Sequence, residues 1–362
     1  MDKLARSITP TDKKFPPAKA LQKFSRLAHS LSGMYHLVSR EPIIFHVARS
    51  RNPVSGFYDQ FKILFEQLKD QKVYFLCAWW WHTEELRHIV QIKQLEDELL
   101  SRYPHFNFIH LSNSVRQDEN FESGGLNSIF CNHNCFVDER IFRPLPQTEK
   151  RYDAVYDARI IEFKRHYLAS EVDDLALIYG QNHFSEDDKR FTEEIRDLLH
   201  GAHYFNHSGS GEYRHLSAAE INNCLNECRV GLCLSSVEGA MYASTQYLLS
   251  GLPVVTTESI GGRDVFFDEE VSITVDADPK SVKRGVEEMI SRNLKPNHVR
   301  HKTLERMREH RNRFIDLIQI IFEGEMTGRD FSDEWDSVFC NKLLKPTKHL
   351  DVIRYLNLET WT

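Results

Sequence analysis

No stretch of this 362-residue sequence is apolar for long enough to span a bilayer, because polar residues such as Asp316 and Gln319 interrupt the longest candidates. Cysteine is also scarce: the seven cysteines are an odd number scattered along the chain, a pattern typical of reduced thiols and not of a disulfide framework. The opening residues, MDKLAR, are not followed by the apolar core of a secretory signal. We therefore expect a cytoplasmic protein that does not cross a membrane.

The sequence has no large excess of positive charge. Lys and Arg number 46 against 53 Asp and Glu, which gives a net charge of −7 and no general attraction for nucleic acid. Apolar residues make up 41% of the chain and charged residues 27%, so a disordered or low-complexity protein is excluded. At this length, two domains are more common than one.

Short apolar runs alternate with amphipathic stretches along most of the chain. In the first half, runs typical of strands at 43–48, 73–81, 106–111 and 128–131 flank helical patterns at 58–68 and 84–102. A polar, proline-bearing segment at 143–151 interrupts the pattern. The alternation then restarts, with predicted strands at 154–156, 175–179, 230–234, 253–257 and 272–275, and a predicted helix from about residue 163. This order predicts parallel sheets with helices on their faces.

We predict an α/β protein with two Rossmann-like, doubly wound domains that face a cleft, followed by a C-terminal helical segment. The predicted boundaries are an N-terminal arm over 1–34 with one helix, a first domain over 35–145, a second over 146–325, and a tail over 326–362 that packs back on the first domain. Parallel sheets bind ligands at the carboxyl ends of their strands, so we expect a site in the cleft.

The sharpest motif is the segment from Ser235 to Met241, where an apolar strand ends, small residues form a turn and a helix begins. The backbone N–H groups at a helix start, together with the helix dipole, suit an anion such as a diphosphate. Glu238 stands in this turn, and Gln246 is eight residues further on, about 12 Å along a helix. A nucleotide diphosphate sugar at this helix start would place its hexose near Glu238 and its ribose near Gln246.

The segment LSSVEGAMYASTQYLLSGLPVVTT, followed by two glycines, resembles the retaining GT-B glycosyltransferases of the group called family 4. That group carries a Ser-x-x-Glu-Gly turn and a second Glu eight residues after the first; Gln246 stands at this second position. Residues 158–164 (ARIIEFK) are similar to the group's Gly-Arg-x4-Lys element, with Ala158 in place of the glycine. Residues 137–144 are similar to the Val-Asp-x-x-x-Phe-x-Pro element that ends its first domain.

The resemblance implies a metal-independent enzyme without a cofactor, which moves a hexose from a nucleotide diphosphate sugar to a hydroxyl acceptor with retention of configuration. The first domain would bind the acceptor and the second the donor. Arg159 and Lys164 would neutralise the leaving diphosphate as it gains charge, and Glu238 would contact the sugar. His82, at the end of a predicted strand, is a further catalytic candidate. The implied donor-binding residues are Ser235, Gly239, Ala240, Met241 and Gln246.

Several of these residues also have plainer interpretations. Glu238 at a helix start can act as a cap, Arg159 and Lys164 can be solvated charges, and the three tryptophans at 79–81 can be core residues as well as a sugar platform. The cluster Cys131, His133 and Cys135 lacks a second pair at zinc spacing, so we predict no metal site.

The sequence leaves more than one possibility open for the binding partners and for the function. The acceptor is a glycan, a lipid-linked molecule or a small molecule. The basic helical pattern at 300–313 predicts a solvated face, peripheral contact with an anionic membrane, or contact with an anionic acceptor. The alternative function is a catalytically silent relative that binds a nucleotide sugar or a glycan. An epimerase or a phosphorylase of the same architecture would need an acid–base pair or a pyridoxal-binding lysine, and the sequence identifies neither.

Overall fold

The computed structural model describes residues 32–49, 57–180, 186–207 and 212–358. The predicted N-terminal helix lies outside these residues. Within them the chain forms two six-stranded sheets and one small two-stranded ladder. No helix in this part of the chain combines the length and apolar character that a bilayer-spanning segment needs.

The first sheet mixes parallel and antiparallel strands, in the order β14-β1-β2-β3-β4-β5. Strands β2 to β5 are parallel, whereas β1 is antiparallel to both of its neighbours, β2 and β14. Its elements in chain order are β1 (Ser32–Ser39), β2 (Ile43–Arg49), α1 (Phe57–Leu68), β3 (Val73–Trp79), α2 (Leu86–Arg102), β4 (Phe106–Ser112), α3 (Val115–Ser123) and β5 (Ser128–Phe130), with β14 (Lys345–Lys348) joining from the C-terminal segment.

Alternate residues of the first sheet enter different packing layers. Phe45 and Phe75 pack against α1, in a cluster that also holds Phe61 and Phe65. Neighbouring residues of the same strands, such as Ile44, point to the opposite face, since side chains alternate along a strand. The two faces are therefore covered by different parts of the chain.

The second sheet is entirely parallel, in the order β13-β11-β9-β6-β7-β8. The order reverses between β6 and β9, which makes this gap the topological switch point where such sheets bind ligands. Its elements are β6 (Tyr152–Asp157), β7 (Leu175–Ile178), α4 (Glu186–Leu198), β8 (His203–Tyr204), α5 (Ala218–Asn226), β9 (Cys228–Cys233), α6 (Tyr242–Leu249), β11 (Val254–Thr257), β13 (Ser272–Val275) and α7 (Pro279–Ser291). The small ladder pairs β10 (Val237–Glu238) with β12 (Ile260–Gly261).

The C-terminal segment returns the chain to the first sheet. Its elements are α8 (Pro296–Gly324), α9 (Phe331–Val338), β14 and α10 (His349–Tyr355). Phe314 of α8 contacts His46 of β2, with ring centroids 5.5 Å apart, so α8 lies on the face opposite α1. Beyond α9, β14 pairs with β1 at the edge of the sheet. The C-terminal segment therefore helps to build the first sheet as well as to cover it.

The predicted fold class is confirmed, one local expectation is wrong, and one strand is additional to the prediction. The helix expected from residue 163 is instead two 3₁₀ turns, Glu162–Lys164 and His166–Ala169. Arg165 separates them with a left-handed backbone (φ 52°), and its guanidinium donates to Leu234 O and Thr257 Oγ1. Strand β1 was not expected at all, because its sequence mixes polar and apolar residues. The predicted segment boundaries stay predictions.

Candidate functional site

An ion pair lies at the switch point of the second sheet. Lys164 Nζ donates to Glu238 Oε1, and the two residues are only 8% and 7% exposed. Lys164 ends the 3₁₀ turn that comes after β6, and Glu238 lies in β10, which comes after β9. Because β6 and β9 are adjacent parallel strands, their carboxyl ends place both side chains at one edge. Two residues that the sequence predicted for one site are therefore in contact.

A tight backbone turn holds Glu238 in place. In the small ladder, Glu238 is opposite Gly261, whose φ of 107° is open to glycine but strained for other residues. A Cβ at Gly261 would overlap the carbonyl oxygen of Glu238 and lie 3.2 Å from Cβ of His82. His82, from the first domain, therefore reaches the ladder that carries Glu238. The structure brings three of the four predicted catalytic residues, Lys164, Glu238 and His82, into one neighbourhood.

The two domains touch through backbone next to this ladder. A Cβ at Gly239 would lie 2.6 Å from the carbonyl oxygen of Trp80, and one at Gly262 would overlap the carbonyl oxygen of Asn113. Asn132 Nδ2 bridges the same contact, since it donates to Asn113 O at 2.8 Å and to Gly262 O at 2.7 Å. The two glycines thus allow the domains to approach closely at this point.

We expect Gly262→Ala to lower the free energy of unfolding by about 1–3 kcal/mol, because the added methyl has no room against the backbone of Asn113. Gly324→Ala is the matched control, since nothing lies within 4 Å of a Cβ at that position. Urea unfolding of both variants measures the difference. Equal stability of the two variants would show that the domains do not pack this closely in solution.

The start of α6 is enclosed by the first domain. Met241 precedes the helix with a left-handed backbone (φ 54°), and the carbonyls of Ala240 and Met241 accept from Asn134 Nδ2 at 2.6 and 3.1 Å. Ser235 is fully buried, and its carbonyl accepts from Arg263 Nη1 at 2.7 Å. Three of the predicted donor-binding residues, Ser235, Ala240 and Met241, thus lie around this turn, and Ser235 is on its buried side.

Gln246 lies one helical turn after Tyr242 on α6 and is buried. Its Nε2 atom has no hydrogen-bond partner among the described residues, and the same is true of Oγ1 of its neighbour Thr245. Buried polar atoms are almost always hydrogen-bonded, because an unsatisfied one costs about 1–3 kcal/mol. Thr245 and Gln246 are three and four residues after Tyr242, so all three share one face of the helix. This face is rich in unused hydrogen-bonding groups.

Charged groups from three parts of the chain surround the end of β6. Burial raises the pKa of the Asp157 carboxyl to about 6, while the ammonium groups of Lys342 and Lys164 act in the opposite direction. The N–H of Asp157 donates to Tyr247 Oη at 2.5 Å. Arg159 is exposed and lies two residues after the end of β6. It passes close to Gly180, because a Cβ built on that glycine would lie 3.6 Å from Arg159 Cγ. Two lysines and two carboxylates therefore lie close to the end of β6.

The three consecutive tryptophans have different environments. Trp79 is fully buried, and its Nε1 donates to His110 Nδ1 at 3.1 Å. Trp81 is half-buried and packs on Phe163 with ring centroids 5.2 Å apart. Trp80 is 40% exposed, so it alone of the three presents a large surface to solvent. Of the three tryptophans, Trp80 is therefore the remaining candidate for a sugar platform.

Other candidate residues have local partners. Burial lowers the pKa of His133 to about 4, and its Nδ1 lies 3.0 Å from Trp79 O. On α8, three arginines of the basic pattern donate to neighbouring backbone carbonyls, namely Arg300, Arg306 and Arg311. Much of that pattern therefore stabilises the contact of α8 with the rest of the protein.

Sequence reasoning missed two residues near the site, Arg263 and Lys342. Arg263 is fully buried, and its Nη2 donates to Thr256 Oγ1 at 2.6 Å while its Nη1 binds Ser235, which ties the ends of β9 and β11 together. Its place directly after two glycines was the available signal. Lys342 was also missed, because it lies in the C-terminal segment, far along the chain from Lys164.

No protein-family model matches this sequence, and no curated protein sequence does. Among solved structures, the chain is similar to HepE from Anabaena in complex with UDP, with 10% identity over 69% of this chain and 78% of the other, and a TM-score of 0.50. It is also similar to sucrose-phosphate synthase from Thermosynechococcus elongatus, with 12% identity over 78% and 74% and a TM-score of 0.53. At these identities the likeness establishes the fold, which is the GT-B arrangement of two Rossmann-like domains.

Proposed function

We propose that this protein is a retaining glycosyltransferase that moves a hexose from a nucleotide diphosphate sugar to a hydroxyl acceptor. The observation that carries the proposal is the buried Lys164–Glu238 pair at the switch point of the second sheet. At this edge, the ammonium of Lys164 can bind a phosphate, and the carboxylate of Glu238 can accept hydrogen bonds from sugar hydroxyls. The solved HepE structure contains UDP, so a UDP-hexose is the first donor to test.

The proposed roles depend on the charges of the site. As the bond from sugar C1 to the phosphate oxygen breaks, the diphosphate gains negative charge, and Lys164, Arg159 and the start of α6 stabilise that charge. Glu238 accepts hydrogen bonds from the hexose and so holds C1 in place. The acceptor oxygen bonds to C1 on the face that the diphosphate leaves, and the hydroxyl proton passes to the departing phosphate. No protein nucleophile is needed for this reaction.

The acceptor side is formed by the first domain. His82 lies beside Gly261, the residue paired with Glu238, and this position supports a contact of His82 with the sugar or the acceptor. Trp80 presents an exposed aromatic surface at the adjoining rim. The acceptor remains a glycan, a lipid-linked molecule or a small molecule, and contact of α8 with an anionic membrane stays a hypothesis.

Ligand-dependent stability tests the proposal. A ligand that binds only the folded protein at about 100 times its Kd adds about 2.7 kcal/mol, so UDP should raise Tm by several degrees. UDP-glucose should then be hydrolysed slowly without an acceptor, also in the presence of a chelator. If UDP, GDP and ADP all leave Tm unchanged, the proposed function is wrong. Binding of UDP without any hydrolysis would favour the silent relative.

Gln246→Glu tests the departure from the family pattern. A carboxylate accepts hydrogen bonds from ribose hydroxyls more strongly than an amide does, by about 1 kcal/mol, so we expect UDP to bind up to about tenfold more tightly. The same carboxylate is buried in the free protein, so the variant should also unfold more easily. Calorimetric titration with UDP measures the affinity.

Gln246→Leu is the control for this prediction. It removes the unpartnered Nε2, so it should keep or raise stability while weakening UDP binding. If Gln246→Glu leaves the Kd unchanged or raises it, Gln246 does not contact the ribose, and the silent relative gains support.

A further inference from the structure

Lys342 lies in the C-terminal segment, between α9 and β14. Its backbone N–H donates to Phe136 O at 2.9 Å, and the next residue, Leu343, is fully buried. Both residues have left-handed backbones, with φ values of 60° and 51°. Two such residues in succession are strained, and this strain persists only where packing fixes the chain. The fold therefore holds Lys342 in a defined position.

The Lys342 ammonium is placed at the start of α6. It lies 4.9 Å from the ring centroid of Tyr242, the first residue of that helix. Tyr242 in turn contacts His133, with ring centroids 4.9 Å apart. Burial lowers the pKa of Lys342, and the Asp157 carboxylate raises it. Lys342 thus stands where the second domain, the first domain and the C-terminal segment meet.

The charge of Lys342 is less well compensated than that of Lys164. Lys164 has Glu238 in direct contact, whereas within the described part of the chain no carboxylate comes within 4 Å of Lys342 Nζ. A largely buried ammonium without a close anion is costly. The face of α6 that Tyr242 begins also carries the unsatisfied Thr245 Oγ1 and Gln246 Nε2. An anion bound beside Tyr242 would compensate the charge of Lys342.

We propose that Lys342 is a donor-binding residue whose ammonium binds the diphosphate of the nucleotide sugar together with Lys164. This inference rests on the proposed function, which places that diphosphate at the start of α6. A contact of Lys342 with the donor would make the C-terminal segment part of the donor site. This segment is fixed to the first sheet just after Lys342, because β14 pairs with β1 from Lys345 onwards. A donor then binds both domains and the segment that connects back to the first sheet.

Lys342→Met tests the inference, with Lys345→Met as the matched control, since Lys345 is exposed on the same segment. Loss of a charge-assisted contact predicts that Lys342→Met binds UDP about tenfold or more weakly, and UMP less than about threefold more weakly. Inorganic pyrophosphate should lose affinity as UDP does. Lys345→Met should bind all three ligands like the wild type. Titration calorimetry supplies the affinities, and thermal melts confirm folding.

Unchanged UDP affinity in Lys342→Met would overturn the inference, because Lys342 would then serve only to balance Asp157. Equal losses for UDP and UMP would overturn it as well. If Lys342→Met fails to fold, Lys342→Gln and Lys342→Arg replace it, and only the charged variant should keep UDP affinity near that of the wild type. Loss of UDP binding in Lys164→Met but not in the Lys342 variants would refute this inference alone. A wild type that binds no UDP, GDP or ADP would refute the proposed function and this inference with it.

Discussion

A Glu238→Gln variant should turn over a UDP-hexose about 100 to 1,000 times more slowly than the wild type, with UDP affinity changed less than about threefold. The carboxylate lies next to Lys164 at the switch point, where the proposed function places the hexose and not the base or the ribose. Glutamine keeps the shape and can still accept a hydrogen bond from Lys164, but it leaves this buried ammonium without a close anion, so the variant should fold with a lower free energy of unfolding. The predicted loss is therefore in kcat.

Glu258→Gln is the matched control, because Glu258 is an exposed carboxylate just after β11 in the same domain. Its turnover should equal that of the wild type. Wild-type turnover in Glu238→Gln would remove Glu238 from the site. A parallel loss of UDP affinity would instead mean that the carboxylate mainly holds Lys164 and the turn in place.

The second sheet and the Glu238 turn could be predicted because their signals are local. The apolar strand, the small-residue turn and the glycine pair occupy one continuous stretch, 230–262, and the structure shows why the glycines are needed. The contact of Lys164 with Glu238 spans 74 residues, and the shared site was predicted from the resemblance of both segments to motifs of one enzyme group, not from the strand pattern. The adjacent parallel strands β6 and β9 explain why these two distant segments meet.

The first sheet was harder to predict because its edge depends on distant partners. β1 pairs with β14, and Tyr35 is opposite Lys345 from the other end of the chain. A strand of mixed polarity that is stabilised by such a remote neighbour has no clear periodic signal. The hydrogen bonds that Asn132 and Asn134 donate across the domain contact could not be predicted either, because their acceptors are backbone carbonyls, which leave no mark in the sequence. The position of Lys342 was equally unpredictable, because it depends on the C-terminal segment returning to the end of β6.

Lys164→Met should impair both stability and donor binding. Without Lys164, the Glu238 carboxylate is buried with no close cation, and breaking a buried pair in this way costs about 3–5 kcal/mol unless the carboxylate takes up a proton. The variant also loses an ammonium aimed at the diphosphate, so UDP should bind about 10- to 100-fold more weakly. Urea unfolding and titration calorimetry with UDP measure the two effects separately.

The double variant Lys164→Met/Glu238→Gln separates these two effects. It contains neither buried charge, so most of the lost stability should return, whereas the loss of UDP affinity should remain. Arg159→Ala provides the comparison at an exposed position, where UDP binding should weaken with little change in stability. If the double variant instead regains wild-type affinity for UDP, Lys164 serves only to neutralise Glu238. The diphosphate would then be bound by Arg159 and the start of α6, and the Lys164–Glu238 pair would be a structural element of the cleft.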